Sequence, residues 1–150
     1  MTLFEQDFIM RQVQYLTQLL QEIIFKKSKN KKQEAIQEIN NALERLTKEH
    51  PKQFHELELE ETANLFIQND AYQAELALAV ADLLVEEAEM LKDQQFSKSK
   101  KAYQQAYMLY KKAQLDKNAA VPLDIHQKTT QIKQELSHKN ALAEIEKLLN

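Results

Sequence analysis

The sequence of 150 residues contains no glycine, no cysteine and no tryptophan, and it has only two prolines. An average chain contains about 7% glycine, so its absence here constrains the fold strongly. Without glycine we expect no phosphate-binding loop, dinucleotide fingerprint, nucleophile elbow or type I′ β-hairpin. Without cysteine the chain can form no disulfide, no cysteine-ligated zinc or iron–sulfur site and no thiol nucleophile. These absences predict a soluble, mostly helical protein that is not an enzyme, with no catalytic residue, metal or cofactor.

The overall composition is that of a globular chain. Charged residues make up 29% and hydrophobic residues 43%, and the mean hydropathy is −0.60. The most apolar stretch, residues 15–25, is interrupted by polar side chains, so we expect no membrane-spanning segment. The first residues include Glu5 and Asp7 instead of a basic segment. This start argues against a secretory signal and favours a cytoplasmic protein.

The spacing of hydrophobic residues predicts about six or seven helices, and no segment alternates like a strand. The predicted helices span about 3–27, 31–48, 51–68, 71–94 and 97–115, and a further helix starts at Pro122 and breaks near residues 137–140. Pro51 and Pro122 are interpreted as first-turn residues, where proline is tolerated. We expect one all-α domain over 1–150, with a helical hairpin in 1–50 and a helical-repeat-like region in 51–150. Short connections should make neighbouring helices antiparallel.

Asparagines take the place of glycine at the predicted helix ends. Asn30, followed by Gln33, is expected to cap the start of the second helix. Asn69 tolerates left-handed backbone and is expected to end the third helix, while Asp70 opens the fourth. At the start of the chain, Thr2 and Glu5 have the spacing of a capping box.

An aliphatic seam runs along the first helix at alternating spacings of four and three residues: Ile9, Val13, Leu16, Leu20 and Ile23. Flanking aromatic residues make this helix more apolar than one groove usually covers. The seam therefore predicts either a central helix or the interface of a homodimer, which is isologous if it is two-fold.

Charge is concentrated in the middle of the chain. Residues 56–93 contain one basic and eleven acidic residues, whereas the predicted fifth helix carries Lys98, Lys100, Lys101, Lys111 and Lys112. One interpretation is that these are solvated faces of neighbouring helices that attract each other. The other is that the acidic surface recruits a basic partner by long-range attraction.

A tyrosine stripe, Tyr103, Tyr107 and Tyr110, follows the predicted fifth helix. Tyrosine is amphipathic and enriched at interfaces, but the same spacing is also that of an ordinary buried stripe. If the stripe lines a groove, it would receive a peptide or a partner helix, with Lys101 or Lys111 meeting acidic groups of the partner.

The segment 106–118, AYMLYKKAQLDKN, resembles the second half of a tetratricopeptide repeat. The matching positions are Ala106, Tyr110 and Ala113, followed by the turn Leu115-Asp116-Lys117-Asn118. The chain departs from the repeat at Lys117, where proline is expected, and in the missing glycine of the preceding helix. The resemblance implies stacked helical hairpins.

The segment 4–13, FEQDFIMRQV, is similar to the start of a family of short bacterial proteins known only as a domain of unknown function. In that family an acidic, aromatic, Ile/Met and Arg cluster precedes an apolar helix. The resemblance implies a bacterial intracellular protein. Since the family has no assigned activity, it implies no catalytic residues.

Candidate metal and nucleic-acid sites are weak. His55 and Glu58 share a predicted helix face, but a metal site in a helical bundle takes Glu-x-x-His motifs from two helices. A surface histidine beside acidic residues is therefore favoured over a metal ligand. The lysine-rich segment 26–32 contains no aromatic residue and the pI is about 5.8, which argues against nucleic-acid binding.

These features predict a non-enzymatic protein–protein interaction or scaffold module that binds a protein or peptide, forms a homodimer if the seam is an interface, and does not bind membranes. One alternative is a regulatory helical protein that binds a small ligand or a metal, and another is a nucleic-acid accessory protein that uses the lysines of residues 26–32.

Overall fold

The structure is a computed structural model that describes the backbone of residues 3–138 and 142–149, and the side chains of 6–137 and 142–149. Within these ranges the protein has seven α-helices, one 3-10 turn and one two-stranded hairpin, and it is 76% helical. The prediction of an all-α fold is therefore confirmed. The helices are α1 Leu3–Ser28, α2 Lys32–Leu46, α3 Leu59–Asn64, α4 Ala74–Leu91, α5 Phe96–Leu115, α6 Ile125–His138 and α7 Leu142–Leu149. The residues between α6 and α7, where a break was predicted, lie outside the described ranges.

The α4–α5 hairpin is the centre of the molecule. The Ser99 hydroxyl near the start of α5 donates to the Ala88 carbonyl near the end of α4, at 2.8 Å, which ties the two antiparallel helices together. Their shared interface is rich in alanine, and Ala81, Ala88 and Ala106 are fully buried. Because alanine side chains are short, the helix axes can approach closely. The helices α1, α2, α6 and α7 pack around this pair.

The predicted aliphatic seam of α1 is covered within the protomer. Ile9, Leu16 and Ile23 are buried, and Val13 and Leu20 are half-buried against the same core. The helix lies along α4 and is covered further by α2, which returns antiparallel to it. The seam is thus a core element of the single chain, and its use as a dimer interface stays a prediction that this packing does not require.

The predicted third helix, 51–68, is wrong in its bounds. A 3-10 turn spans Phe54–Glu56, and the backbone is extended at Gln53, Leu57 and Glu58. The helix α3 begins only at Leu59, where Glu58 and Glu61 form a capping box. The capping box favours a helix start at Leu59, and Phe54 and Leu57 are buried outside any α-helix. These two effects outweigh the preference of Pro51 for the first turn of a helix.

A β-hairpin joins α3 to α4, although the sequence predicted no strand and no type I′ hairpin. Strand β1 (Ile67–Gln68) pairs antiparallel with β2 (Ala71–Tyr72), in the register Ile67↔Tyr72. The two turn residues, Asn69 and Asp70, have φ angles of 53° and 63°. Asn and Asp are the non-glycine residues that tolerate left-handed backbone, so they supply the turn that glycine usually makes.

Asn30 also takes a different role from the predicted one. It is left-handed, with φ 59°, and it ends α1 instead of capping α2. The Lys31 amide donates to the Lys26 carbonyl at 2.8 Å and the Asn30 amide donates to the Lys27 carbonyl at 3.2 Å, which is the Schellman pattern. The predicted Thr2–Glu5 capping box lies outside the described side chains. The predicted first-turn role of Pro122 is corrected as well, since α6 begins at Ile125.

Among the described residues, no helix has the length and apolar character needed to cross a membrane.

Candidate functional site

The tyrosine stripe of α5 belongs to the core. Tyr103, Tyr107 and Tyr110 are 2%, 3% and 1% exposed, so they do not line an open groove. The Tyr110 hydroxyl donates to the Asp82 carboxylate of α4. The same carboxylate accepts a hydrogen bond from Lys128 Nζ at 3.0 Å. Burial raises the pKa of all three phenols. The stripe therefore packs α5 on its neighbours, which is the alternative interpretation of the sequence pattern.

The acidic residues of the middle segment are partly neutralised within the protein. Glu86 and Glu89 both form ion pairs with Lys27 of α1, and Glu61 forms an ion pair with Lys52. One interpretation of the sequence expected the lysines of α5 to pair with this surface. None of them forms an ion pair with a described residue; they are Lys98, Lys100, Lys101, Lys111 and Lys112. Lys111 instead lies over the Tyr107 ring, with Nζ 5.8 Å from its centroid. Ion pairs between neighbouring elements thus account for part of the acidic charge. These pairs do not involve the α5 lysines.

A polar cluster centred on His55 joins the 3-10 turn to α4 and α5. His55 Nε2 lies 2.8 Å from Oε1 of Glu87, whose side chain is only 2% exposed. His55 Nδ1 lies 2.8 Å from Gln105 Oε1, and Gln105 is fully buried. The Gln105 amide nitrogen donates to the Phe54 carbonyl and to the Thr62 hydroxyl, at 2.8 and 3.1 Å. The cluster holds the segment before α3 against the central helix pair.

The hydrogen-bond directions assign the charge of His55. The Thr62 hydroxyl donates to the Glu58 carbonyl, so it accepts from the amide nitrogen of Gln105. This leaves the Gln105 oxygen facing His55 Nδ1, which must therefore carry a proton, and Nε2 faces a carboxylate and carries the second. The alignment at Glu87 Oε1 is poor for a hydrogen bond, so this contact acts through charge.

The pKa of His55 agrees with a charged ring. Burial acts to lower the pKa, but the Glu87 carboxylate and the Gln105 oxygen outweigh it and raise the pKa above the ordinary value. Since both ring nitrogens are engaged within the protein, neither is free to accept a proton from a substrate or to bind a metal in this arrangement.

A side cleft of about 530 Å³ lies beside this cluster, between α2 and α5. The end of α4 forms its floor with Glu87 and Leu91, and the 3-10 turn closes one end with Phe54 and His55. The α2 wall carries Gln37, Asn40 and Glu44, and the α5 wall carries Ser97, Lys98 and Lys101.

An end cleft of about 860 Å³ lies at the opposite end of α4. Its walls are the start of α1, the β-hairpin with the start of α4, and the connection from α5 to α6. Its described lining contains four carboxylates and no basic residue: Asp7, Asp70, Glu75 and Asp116. None of these four forms an ion pair with a described residue, although Asp116 accepts a hydrogen bond from the Asn118 amide at 3.0 Å. Ile9, Met10 and Leu76 add apolar surface.

Sequence reasoning placed His55 beside Glu58, whereas the structure pairs it with Glu87 and Gln105. A signal for these partners was present. Glu87 falls in the apolar seam of α4 with Leu84 and Leu91, and Gln105 falls in the seam of α5 with Ala102 and Leu109. A polar residue in an apolar seam indicates a buried partner. No group of three or more His, Cys, Asp or Glu side chains that could hold a metal is found among the described residues.

No family model matches the chain, and no curated protein or solved structure is significantly similar to it. The resemblances to the tetratricopeptide repeat and to the bacterial domain of unknown function therefore stay predictions.

Proposed function

We propose that this protein is a non-enzymatic interaction module of the cytoplasm, whose end cleft holds a basic segment of a partner protein. The observation that supports this proposal is the lining of the cleft, which combines apolar side chains with four carboxylates that form no ion pair with a described residue, and which has no described basic residue. Such a lining attracts cations and still offers surface for apolar anchors.

The surroundings of the end cleft favour a peptide over a small ion. The carboxylates stand on three separate parts of the chain: α1, the hairpin with α4, and the end of α5. Beside the lining residues, Leu115 is 65% exposed and Val121 is 38% exposed, and Met10 within the cleft is 44% exposed. Exposed apolar residues next to a charged cleft are typical of protein interaction sites. The expected segment carries lysine or arginine with one or two apolar anchors.

The two histidines next to the 3-10 turn, His50 and His55, are held by contacts within the protein. Both ring nitrogens of His55 are held by Glu87 and Gln105, and Nδ1 of His50 accepts the Lys52 amide at 3.0 Å. A general base needs a ring nitrogen within reach of the proton it takes.

The test measures the affinity for a fluorescein-labelled peptide of alternating leucine and lysine by fluorescence anisotropy. The triple variant Asp7→Asn, Asp70→Asn, Glu75→Gln removes three cleft carboxylates. If each contributes roughly 0.5 kcal/mol, the triple variant binds about 10-fold more weakly. Adding salt should weaken wild-type binding as well, because the attraction is screened.

A matched variant controls for net charge. Glu56→Gln, Glu60→Gln, Asp93→Asn removes three exposed carboxylates outside the cleft and should change the affinity less than about 2-fold. Equal losses in both triple variants would mean that the peptide senses only net charge. That result, or equal binding of a peptide with glutamate in place of lysine, refutes the proposal.

A further inference from the structure

The side cleft keeps opposite charges apart on its two walls. Glu44 stands on the α2 wall, and Lys98 and Lys101 stand one turn apart on the α5 wall. Neither lysine forms an ion pair with a described residue, and neither does Glu44. The end of α4, which forms the floor, separates the two walls. Opposite charges within reach of each other attract strongly enough to pair. Because Glu44 and the lysines stay apart across the cleft, both charges can contact a ligand.

The floor of the cleft adds no free charge. Glu87 is neutralised by His55, and this pair is locked by Gln105. The imidazolium therefore acts as a fixed end wall. The positive charge of the neighbouring Lys101 repels the imidazolium of His55 and acts to lower the pKa of the ring. An anionic group placed beside Lys101 would relieve this repulsion between two cations.

The remaining lining suits a small polar molecule. Gln37, Asn40, Gln53 and Gln95 present side-chain amides, which can donate and accept hydrogen bonds. Leu91 on the floor and Phe54 at the closed end add apolar side chains that are largely buried. A volume of about 530 Å³ falls within the range of small-molecule sites.

From this arrangement we infer that the side cleft binds a small zwitterion, of the size of an amino acid or a dipeptide, with its carboxylate at Lys98 and Lys101 and its ammonium at Glu44. The site is separate from the end cleft in position and in chemistry, so each proposal can fail without the other.

The experiment begins with thermal unfolding in the presence of free amino acids and of unblocked dipeptides. A compound that binds should raise the Tm by about 5 °C at a hundredfold excess over its Kd. The N-acetylated and C-amidated forms of the same compound each lack one charge and should give a much smaller shift. If no compound raises the Tm, or if the blocked forms raise it equally, the inference is overturned.

Substitutions then test the two walls by titration calorimetry with the best compound. Glu44→Gln and the double variant Lys98→Gln, Lys101→Gln should each weaken binding at least about 10-fold, because each removes one charge-assisted contact. The controls are Glu49→Gln, just beyond α2, and Lys111→Gln with Lys112→Gln, at the other end of α5. These should leave the Kd within about 2-fold. Equal losses in the control variants would place the ligand elsewhere and refute the assignment.

Discussion

Replacing His55 with alanine should destabilise the protein far more than replacing an ordinary half-exposed histidine. Its partner Glu87 has a side chain that is 2% exposed, and it would stay buried without a compensating charge. Breaking a fully buried ion pair from one side costs about 3–5 kcal/mol. The His55 side chain is 35% exposed, so water can partly replace it, and we expect a loss of about 2–3 kcal/mol in the free energy of unfolding.

A double-mutant cycle separates this charge effect from lost packing. Glu87→Gln keeps the shape of the side chain and removes the charge, and it should cost about 1–2 kcal/mol. In the double variant His55→Ala, Glu87→Gln no uncompensated charge stays buried. Its loss should therefore be smaller than the sum of the single losses by about 1–2 kcal/mol. His126, which is exposed on α6, provides the control, and His126→Ala should change stability by less than about 0.5 kcal/mol.

The assay is urea unfolding at pH 6, followed by circular dichroism at 222 nm, with a comparison of midpoints and m-values. Additive losses across the cycle, or a His55→Ala variant as stable as His126→Ala, would refute the assignment of a charged His55–Glu87 pair.

The same pair gives stability a defined pH dependence. The pKa of His55 is raised in the folded state, against an ordinary value of 6.5. Its contribution to the free energy of unfolding is therefore fully present below about pH 6.5 and is lost as the pH rises through the folded-state pKa. The stability difference between wild type and Glu87→Gln should shrink between pH 6 and pH 9, measured by the same urea titration. A difference that stays constant or grows over this range contradicts the pairing.

Three further predictions concern the backbone, the core and the tyrosines. Asn30→Gly should raise the free energy of unfolding by about 0.5–1 kcal/mol because φ is 59°, and Asn30→Ala should lower it by about 1 kcal/mol; thermal unfolding distinguishes the two. Leu16→Ala should cost about 2–4 kcal/mol with no change of mass in sedimentation velocity, because Leu16 is 3% exposed within the chain; a change from dimer to monomer mass at unchanged stability would instead favour the dimer seam. At pH 11 the native protein should show much less phenolate absorbance at 295 nm than five tyrosines give after unfolding, since burial raises four phenol pKa values: Tyr72, Tyr103, Tyr107 and Tyr110.

Local patterns predicted helices well where the apolar residues recur at helical spacing over a long segment. The helices α1, α2, α4 and α5 lie within a few residues of their predicted bounds. The prediction failed between Pro51 and Tyr72, where the elements are short. There a 3-10 turn and a six-residue helix are stabilised mainly by tertiary burial of Phe54, Leu57 and Phe66, which no local spacing reports.

The exclusion of a type I′ turn failed for a related reason. The absence of glycine removes the residue that adopts positive φ most easily, but it does not forbid that conformation. Asn69 and Asp70 adopt it at a modest cost, which the surrounding structure can offset. Composition thus sets a preference at such a turn, and tertiary contacts act on the hairpin as well, since the Tyr72 hydroxyl donates to the Leu109 carbonyl of α5 at 3.0 Å.

The sequence alone determined the helical class, the aliphatic seam of the first helix and the exclusion of cysteine chemistry, because these depend on composition and on spacing within a few turns of helix. Tertiary structure decided which polar groups meet. His55 and Gln105 are 50 residues apart in the chain, and only the packing of the 3-10 turn on α5 brings them within 2.8 Å. The two clefts likewise exist only where separate elements come together, so their charges become binding surfaces through the fold and not through any local motif.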